Sequence, residues 1–188
     1  MSDKVIQIFK DAGAFQEGHF LLTSGLHSPV YWEKFRVLQY PRATEKLCRL
    51  ITEHFKKQKV AVVAGPTTGG IILAYEVARQ LGVKSIFAEK EGDKRIFRRG
   101  LTLDTGARVL VVDDVLTTGG SVNEVIGAVK LLGGNVIGIG VLVDRTGQDI
   151  KFDAPLFSCI RAPATTYQPN ECPLCTAGIP LVKPSGAA

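Results

Sequence analysis

The sequence predicts an α/β protein built on a parallel sheet, with helices on both faces and a small N-terminal hood. Two observations support this fold class. Segments that are apolar on both faces recur in the middle of the chain, such as "VAVVA" at 60–64 and "NVIGIGVLVD" at 135–144. Helix-like segments of about ten residues or more separate these strands, which is the pattern of parallel strands joined by right-handed crossovers.

The local pattern of apolar and turn-forming residues predicts each helix and strand. Residues 2–12 have one apolar face and predict a short helix, and the short β-like runs up to Trp32 predict a small antiparallel sheet. We expect a hood made of about residues 1–40 and the C-terminal tail, which is rich in Pro and Gly from Ala162 and predicted to be irregular. The later elements are a helix at 41–57, a strand at 60–64, a helix at 70–81, strands at 84–89 and 108–114, a helix at 120–132 and a strand at 135–144.

Composition describes a globular chain that forms one domain, residues 1–188. Hydrophobic residues make up 45% and charged residues 22% of the 188 positions, which is ordinary for such a protein. The apolar runs are far shorter than the roughly 20 residues that a membrane span needs, and the charged N-terminus predicts no secretory signal. Four cysteines are too few for a disulfide scaffold, so we expect a reducing, cytoplasmic location.

The net charge of +5 favours a small phosphorylated ligand rather than a nucleic acid. Lys and Arg are spread along the chain, with one local concentration at 90–99, and no aromatic residues interleave with them. Proteins that bind single-stranded nucleic acids combine both features. We therefore expect no nucleic-acid partner.

The most informative segment is "VLVVDDVLTTGGS" at 109–121. Asp113 and Asp114 end an apolar run, and the carboxyl ends of parallel strands are where such sheets bind ligands. The Thr-Thr-Gly-Gly turn that follows opens a helix, so its backbone N–H groups can form a phosphate cradle. Ser121 and Glu124 also have the spacing of a capping box.

This segment is neither a Walker A loop nor a G-x-G-x-x-G turn. It resembles the phosphoribosyl-pyrophosphate (PRPP) motif of the type I phosphoribosyltransferases, and the resemblance implies their fold. It also implies that the acids hold the ribose hydroxyls, with Asp114 catalytic, while the turn holds the 5′-phosphate. The implied PRPP-binding residues of this segment are Asp113, Asp114, Val115, Leu116, Thr117, Thr118, Gly119, Gly120 and Ser121.

Three further segments resemble the orotate-using members of that family. These are "FLLTSGLHSPVYWE" at 20–33, "VVAGPTTGGIILA" at 62–74 and "VDR" at 143–145. The resemblance implies transfer of the phosphoribosyl group from PRPP to orotate in pyrimidine synthesis, with Mg²⁺ as cofactor and no protein metal ligand assigned. It places Thr117 and Arg145 on orotate, where the planar guanidinium suits a carboxylate. The other interpretation of Arg145 is a salt bridge to its neighbour Asp144.

The charged segment "EKEGDKRIFRRG" at 89–100 has two interpretations. It is either a solvated hairpin tip or a lid that closes over the departing pyrophosphate, with glycines that allow movement. The resemblance implies that Lys90 is catalytic, that Lys90 and Lys94 bind PRPP, and that the loop reaches the active site of the other subunit in a homodimer. Many bacterial relatives have an arginine where this chain has Glu89, a histidine in this loop, and a lysine where this chain has Thr23.

The cysteines and histidines remain open at this stage. Cys172 and Cys175 form a C-x-x-C turn that could bind zinc, act as a redox pair, or consist of packed or free thiols. His19, His27 and His54 are isolated in the sequence, and we assign none of them a catalytic role. His54 is expected to be exposed on a helix.

Two other functions remain possible from the sequence. An enzyme of the same fold could use a purine or xanthine base, but a base without a carboxylate has less use for Arg145. A regulatory protein that senses PRPP and binds nucleic acid would need a clustered basic face, which the sequence does not show outside 89–100.

Overall fold

The computed structural model describes residues 2–22, 24–147, 150–163 and 165–184, so Thr23 lies outside the described residues. The helices are α1 (Ser2–Asp11), α2 (Lys34–Leu38), α3 (Pro41–Phe55), α4 (Gly69–Leu81), α5 (Gly120–Leu131) and α6 (Pro173–Thr176). The strands are β1 (Phe15–Leu21), β2 (His27–Trp32), β3 (Val62–Pro66), β4 (Lys84–Glu91), β5 (Lys94–Phe97), β6 (Arg108–Leu116), β7 (Asn135–Asp144) and β8 (Leu156–Arg161).

The main sheet has the order β5-β4-β3-β6-β7-β8. Strands β4, β3, β6, β7 and β8 pair in parallel, and only β5 is antiparallel to its neighbour. One hydrophobic core joins one face of the sheet to α1, α3 and α4, and a second core joins the other face to α5. The predicted parallel sheet with helices on both faces is therefore confirmed, because strands buried on both sides need cover on both sides.

The hood is a separate two-stranded antiparallel sheet of β1 and β2, as the sequence predicts. Its Trp32 ring packs edge-on against Phe9 of α1 and Phe15 of β1, with centroid distances of 5.1 and 4.7 Å. These contacts attach the last residues of β2 to the body of the protein. No helix in the described ranges is both long enough and apolar enough to cross a bilayer.

The C-terminal tail is more ordered than predicted. Tyr167 forms an antiparallel bridge with His27 of β2, and Val182 forms a parallel bridge with Phe20 of β1. A 3₁₀ turn at Pro169–Glu171 and the short helix α6 lie between the two bridges. The rest of the described tail is irregular, as predicted, but these two bridges form because the hood offers unpaired strand edges, a tertiary signal that local composition does not carry.

Three further elements, α2, β5 and β8, were not predicted. Helix α2 follows the hood, where the Glu33 carboxylate accepts a hydrogen bond of 3.2 Å from the backbone N–H of Phe35. Strand β5 makes most of the charged segment at 89–100 a β4–β5 hairpin. Helix α3 ends at Phe55 rather than at residue 57, and His54 near that end is exposed, as predicted, with its ring 4.3 Å from the Phe157 ring.

Candidate active site

Two buried carboxylates lie near the carboxyl end of β6. The Asp113 and Asp114 residues are only 5% and 3% exposed. Asp113 accepts hydrogen bonds from the Ser121 hydroxyl at 2.7 Å and from the backbone N–H of Asp114 at 2.8 Å. The Lys34 ammonium of α2 donates to Asp114 Oδ1 at 3.1 Å, while Asp114 Oδ2 has no hydrogen-bond partner among the described residues. The pair is thus held in place with one oxygen uncommitted.

Burial makes ionisation of this pair costly. It raises the pKa of Asp113 to about 6, with a further contribution from the neighbouring Asp114 charge, while the bonds from Ser121 and the Asp114 backbone act in the opposite direction. Burial also raises the pKa of Asp114, while the charge of Lys34 and its hydrogen bond to Asp114 act in the opposite direction. Two carboxylates that prefer to share protons or cations suit a ligand that donates hydroxyl hydrogen bonds.

The turn after β6 has the geometry of an anion site. Gly119 is the N-cap of α5 and has a left-handed φ of +79°, and the exposed Thr117 and Thr118 precede it. The N-terminal N–H groups of a helix lack partners within the helix and carry partial positive charge. The turn therefore presents hydroxyls and backbone donors beside the two carboxylates, which is an arrangement that binds phosphate.

The predicted capping box is wrong. Helix α5 begins at Gly120, and no side chain caps it. The Ser121 hydroxyl bonds to Asp113 instead, and the Glu124 carboxylate lies 3.2 Å from Arg95 Nε. Both side chains are therefore committed to tertiary contacts, which the i, i+3 spacing cannot reveal.

The opposite wall of the cleft is the loop after β3. A Cβ atom added to Gly69 would lie 1.8 Å from Asp114 Oδ2, so only glycine lets this loop approach the carboxylate. The preceding Thr67–Thr68 peptide bond is cis. Arg95 of β5 donates to the Thr67 hydroxyl at 3.0 Å and ties the hairpin to this wall.

These walls enclose a cleft with a volume of about 340 Å³. The hood contributes Trp32, α2 contributes Lys34, and the loop after β3 contributes residues 66–69. The hairpin contributes Arg95, and the remaining lining is the carboxylate pair and the turn after it. Cationic and anionic side chains thus face each other across a space of small-ligand size.

Arg145 follows β7 and is half-buried. Its Nε is buried without a hydrogen-bond partner in the part of the chain that the structure describes, and burial lowers the pKa of Arg145. Asp144 is not its partner, because Asp144 Oδ1 accepts from Thr146 N at 2.9 Å and from Thr146 Oγ1 at 2.6 Å. No salt bridge joins these two described residues, and Asp144 Oδ2 lies 3.8 Å from Arg161 Nε instead, so the salt bridge to Asp144 considered from the sequence is wrong; Arg145 does not line the cleft itself.

Comparison with known proteins identifies the family. Residues 36–173 match the phosphoribosyl transferase domain model. An orotate phosphoribosyltransferase of Caldanaerobacter subterraneus subsp. tengcongensis is 51% identical over 182 residues, covering 97% of this chain and 96% of that protein. The chain belongs to the orotate phosphoribosyltransferase family. A second relative of that name, from Thermoanaerobacter sp., is 50% identical over 182 residues, covering 97% of this chain and 96% of its own length.

A solved structure supports the same assignment. The orotate phosphoribosyltransferase of Aeropyrum pernix superposes with a TM-score of 0.66 and 31% identity, covering 75% of this chain and 81% of that one. The predicted type I phosphoribosyltransferase fold and the predicted family are therefore confirmed.

The structure brings some of the predicted site residues together in the cleft and leaves others outside it. Asp113, Asp114, Val115, Thr117 and Ser121 line one cleft. The turn residues Thr117 and Thr118 also border an adjoining hollow. The Leu116 side chain is buried in the core, so Leu116 can reach a ligand only through its backbone. Lys90 and Lys94 are exposed on the hairpin and do not line the cleft of their own chain.

Sequence reasoning missed Lys34 and Arg95 as cleft residues of this family member. Lys34 comes directly after the hood segment that carries the family resemblance, so its position could have been noted. Arg95 lies in the charged segment, but its approach to the cleft follows from the register of the β4–β5 hairpin, which brings it to the Thr67 hydroxyl. That register is set by tertiary structure and has no signal in composition.

Proposed function

We propose that this cleft transfers the phosphoribosyl group of PRPP to orotate, giving orotidine 5′-phosphate and pyrophosphate in pyrimidine synthesis. One observation carries the proposal: two buried carboxylates lie beside the anion-binding turn at the N-terminus of α5, in a chain of the orotate phosphoribosyltransferase family. A phosphorylated sugar offers hydroxyls, which carboxylates bind, and a phosphate, which the turn can bind.

The sugar phosphate has a binding group for each of its parts. Asp113 and Asp114 accept hydrogen bonds from the ribose hydroxyls, since both are carboxylates that line the cleft. The turn from Thr117 to Ser121 holds the 5′-phosphate through hydroxyls and N–H groups, and Val115 and Leu116 add backbone contacts. Lys90 and Lys94 act on the pyrophosphate end when the hairpin closes.

The orotate end is defined by Arg145 and Thr117. A buried guanidinium nitrogen without a protein partner in the described ranges is costly, and a substrate carboxylate offsets that cost. Arg145 also lies near Tyr31 of the hood. Burial raises the pKa of Tyr31, and the nearby charge of Arg145 lowers it by a smaller amount. The purine or xanthine alternative is not favoured, because the curated relatives that match nearly the whole chain are orotate enzymes.

The reaction needs no protein nucleophile. The bond from C1 of the ribose to the pyrophosphate oxygen breaks, a bond from C1 to a ring nitrogen of orotate forms, and that nitrogen loses its proton. Positive charge develops on the ribosyl ring and negative charge on pyrophosphate. The enzyme contributes by positioning the two substrates and by placing fixed charges where the new charges appear.

The cleft residues fit Mg²⁺ as a cofactor. Asp114 Oδ2 is a buried oxygen without a partner in the described part of the chain, and Mg²⁺ prefers carboxylate oxygens together with substrate phosphates. Asp114 would help to hold the ion beside the phosphates of PRPP. Bound there, Mg²⁺ would neutralise charge on the pyrophosphate group.

The proposal includes a cytoplasmic homodimer with shared active sites. Large apolar side chains are exposed on the surface, and Ile72 at 38% and Tyr75 at 64% line one hollow together. Apolar groups grouped in this way favour association with a second surface. Lys90 does not line its own cleft, although Arg95 of the same hairpin does, so in the proposed dimer Lys90 of one subunit serves the cleft of the other.

A substrate-panel assay tests the function. The protein is mixed with PRPP, Mg²⁺ and either orotate, adenine, hypoxanthine or xanthine, and ultraviolet absorbance reports conversion. We expect conversion of orotate alone. Arg145→Lys should raise the KM for orotate at least about tenfold with little change in the KM for PRPP, because lysine lacks the bidentate fork. Arg42→Lys, at an exposed site on α3, is the control; conversion of a purine or of no base contradicts the proposal.

A further inference from the structure

Four potential metal ligands converge outside the cleft. His19 of β1, His27 of β2, and Cys172 and Cys175 of the tail each direct one ligand atom to the same place, and these atoms all lie within 4.8 Å of one another. The two histidines and the two cysteines are about 150 residues apart in sequence, as the separation of 153 between Cys172 and His19 illustrates. Only the folded chain brings them together.

Three sulfur–nitrogen distances in the cluster are close to the edges of a small tetrahedron. Cys172 Sγ and Cys175 Sγ lie 3.5 and 3.8 Å from His19 Nε2, and Cys175 Sγ lies 3.4 Å from His27 Nδ1. With Zn–S bonds of about 2.3 Å and Zn–N bonds of about 2.0–2.1 Å, a tetrahedral site has sulfur–nitrogen edges of about 3.5–3.6 Å. The two imidazole nitrogens are 2.9 Å apart, somewhat less than the corresponding edge of about 3.3 Å.

A second-shell hydrogen bond orients one of the ligands. His19 Nδ1 lies 2.8 Å from the carbonyl oxygen of Ile179, to which it can only donate. In the neutral ring, that bond leaves the lone pair on Nε2, the atom that faces the other three ligands. Histidines that bind metals commonly use their second nitrogen in this way.

The burial of the cluster points in the same direction. His19, His27 and Cys172 are at most 5% exposed, while Cys175 is exposed at the rim. Two imidazoles and a thiol are rarely buried together without a strong interaction that compensates for their lost hydration. A hydrogen bond between the imidazoles satisfies only one nitrogen of each ring and leaves both sulfurs without a strong partner.

We propose that these four side chains form a structural zinc site. A His₂Cys₂ set suits Zn²⁺, and thiolates do not suit Mg²⁺ or Ca²⁺. Four protein ligands leave no open coordination position, so the site is closed and has no hydrolytic role. Binding releases the thiol protons of Cys172 and Cys175, so that the two thiolates offset the charge of the ion.

The site joins the tail to the hood. The ligands come from both strands of the hood and from the turn at the start of α6, between the two bridges that the tail makes with β1 and β2. The closed loop between His27 and Cys172 contains most of the chain, so the ion restricts the unfolded chain strongly. Because β2 continues into Trp32 and Lys34, the zinc also stabilises the wall of the cleft.

Metal analysis of the intact protein tests the proposal without any assay of activity. The protein is purified without chelators, dialysed against buffer containing Zn²⁺ and then against metal-free buffer, and analysed by mass spectrometry of the metal. We expect about one zinc ion per chain in the unchanged protein. Cys175→Ala should hold less than about one tenth of that amount, and Cys159→Ala, the control at a buried cysteine of β8, should retain it in full.

Cobalt substitution and chelation complete the test. Co²⁺ in the unchanged protein should show the intense visible bands of a tetrahedral site and thiolate charge transfer, and both should be absent in Cys175→Ala. A strong chelator should lower the Tm of the unchanged protein and leave that of Cys175→Ala unchanged, with circular dichroism to verify folding. The proposal would be overturned if the folded, unchanged protein binds no zinc or if Cys175→Ala binds it equally well. A Cys172–Cys175 disulfide in protein purified under reducing conditions would also overturn it.

Discussion

Lys34 of α2 donates a 3.1 Å hydrogen bond to Asp114, which is 80 residues away near the end of β6. This contact connects the segment after the hood to the carboxylate pair. It also places an ammonium group in the cleft beside a carboxyl whose pKa burial raises. The charge state of the carboxylate pair therefore depends on a residue outside the segment at 109–121.

Replacing Lys34 should make the reaction more sensitive to acid. In Lys34→Met the pKa of Asp114 rises further, because the nearby cation and the hydrogen bond that favour its charged form are gone. We expect the acid limb of the kcat/KM profile to move to higher pH. Lys57→Met, on an exposed 3₁₀ turn, is the control. An acid limb that stays in place would show that Lys34 does not act on Asp114.

Replacing Asp113 should separate stability from function. The pKa of Asp113 is raised from 3.8 to about 6, so the folded protein binds more protons than the unfolded chain between these values. Stability is thus lost as the pH rises through this range. Asn does not titrate, so Asp113→Asn has no such loss of stability. From pH 5 to pH 8 the free energy of unfolding of the unchanged protein should therefore fall by about 1.4 kcal/mol relative to that of the variant, as measured by urea unfolding.

The same variant should bind PRPP at least about tenfold more weakly, a loss of about 1.4 kcal/mol, because its side chain no longer carries the charge that accepts from the ribose hydroxyls. Calorimetry with PRPP measures this directly. Asp104→Asn, at an exposed position, should change neither quantity. A variant with unchanged PRPP affinity would remove Asp113 from the sugar site.

Gly119 should be more sensitive to substitution than another glycine of the same conformation. Gly119 and Gly106 have φ values of +79° and +78°, so alanine costs about 1–2 kcal/mol of stability at either position. At Gly119 the added Cβ would also lie 3.0 Å from the Phe152 ring, whereas at Gly106 it meets nothing within 4 Å. Gly119→Ala should therefore shift the turn and weaken PRPP binding, and Gly106→Ala should not.

A subunit-mixing experiment tests the shared site. Lys90→Ala should lower kcat much more than it weakens PRPP binding, because the contact strengthens as the leaving group gains charge. Mixing it with an Asp113→Asn/Asp114→Asn protein should restore up to about a quarter of the original activity, since half of the dimers are mixed and one site in each is whole. If mass spectrometry confirms exchange and no activity returns, Lys90 acts in its own subunit or not at all.

The sequence predicted the sheet and the PRPP motif because their signals are local. Runs such as Val109–Val112 are apolar on both faces, and Asp113 and Asp114 follow at a fixed position after them. The Thr-Gly turn also lies within a few residues of the acids. Motifs of this kind can be predicted from the sequence alone, because residues that are close in sequence are also close in the structure.

The remainder depended on contacts between distant segments. The capping-box prediction failed because Ser121 and Glu124 bond to Asp113 and Arg95, and the sequence carries no signal for either pairing. In the same way, His19 and His27 are isolated in the sequence, yet lie against Cys172 and Cys175 in the fold. Ligand sets assembled from both ends of a chain lack the short spacing by which metal motifs are recognised.

The two bridges of the tail also protect the hood from aggregation. A two-stranded sheet has two open edges, and each edge can template pairing with a strand of another molecule. Here the backbone of Tyr167 exchanges hydrogen bonds of 2.9 Å with His27, and Val182 accepts from Leu21 at 3.0 Å and donates to His19 at 2.8 Å. A chain cleaved before Tyr167 would expose both edges at once, so we expect proteolysis of the tail to favour intermolecular β-pairing through the hood.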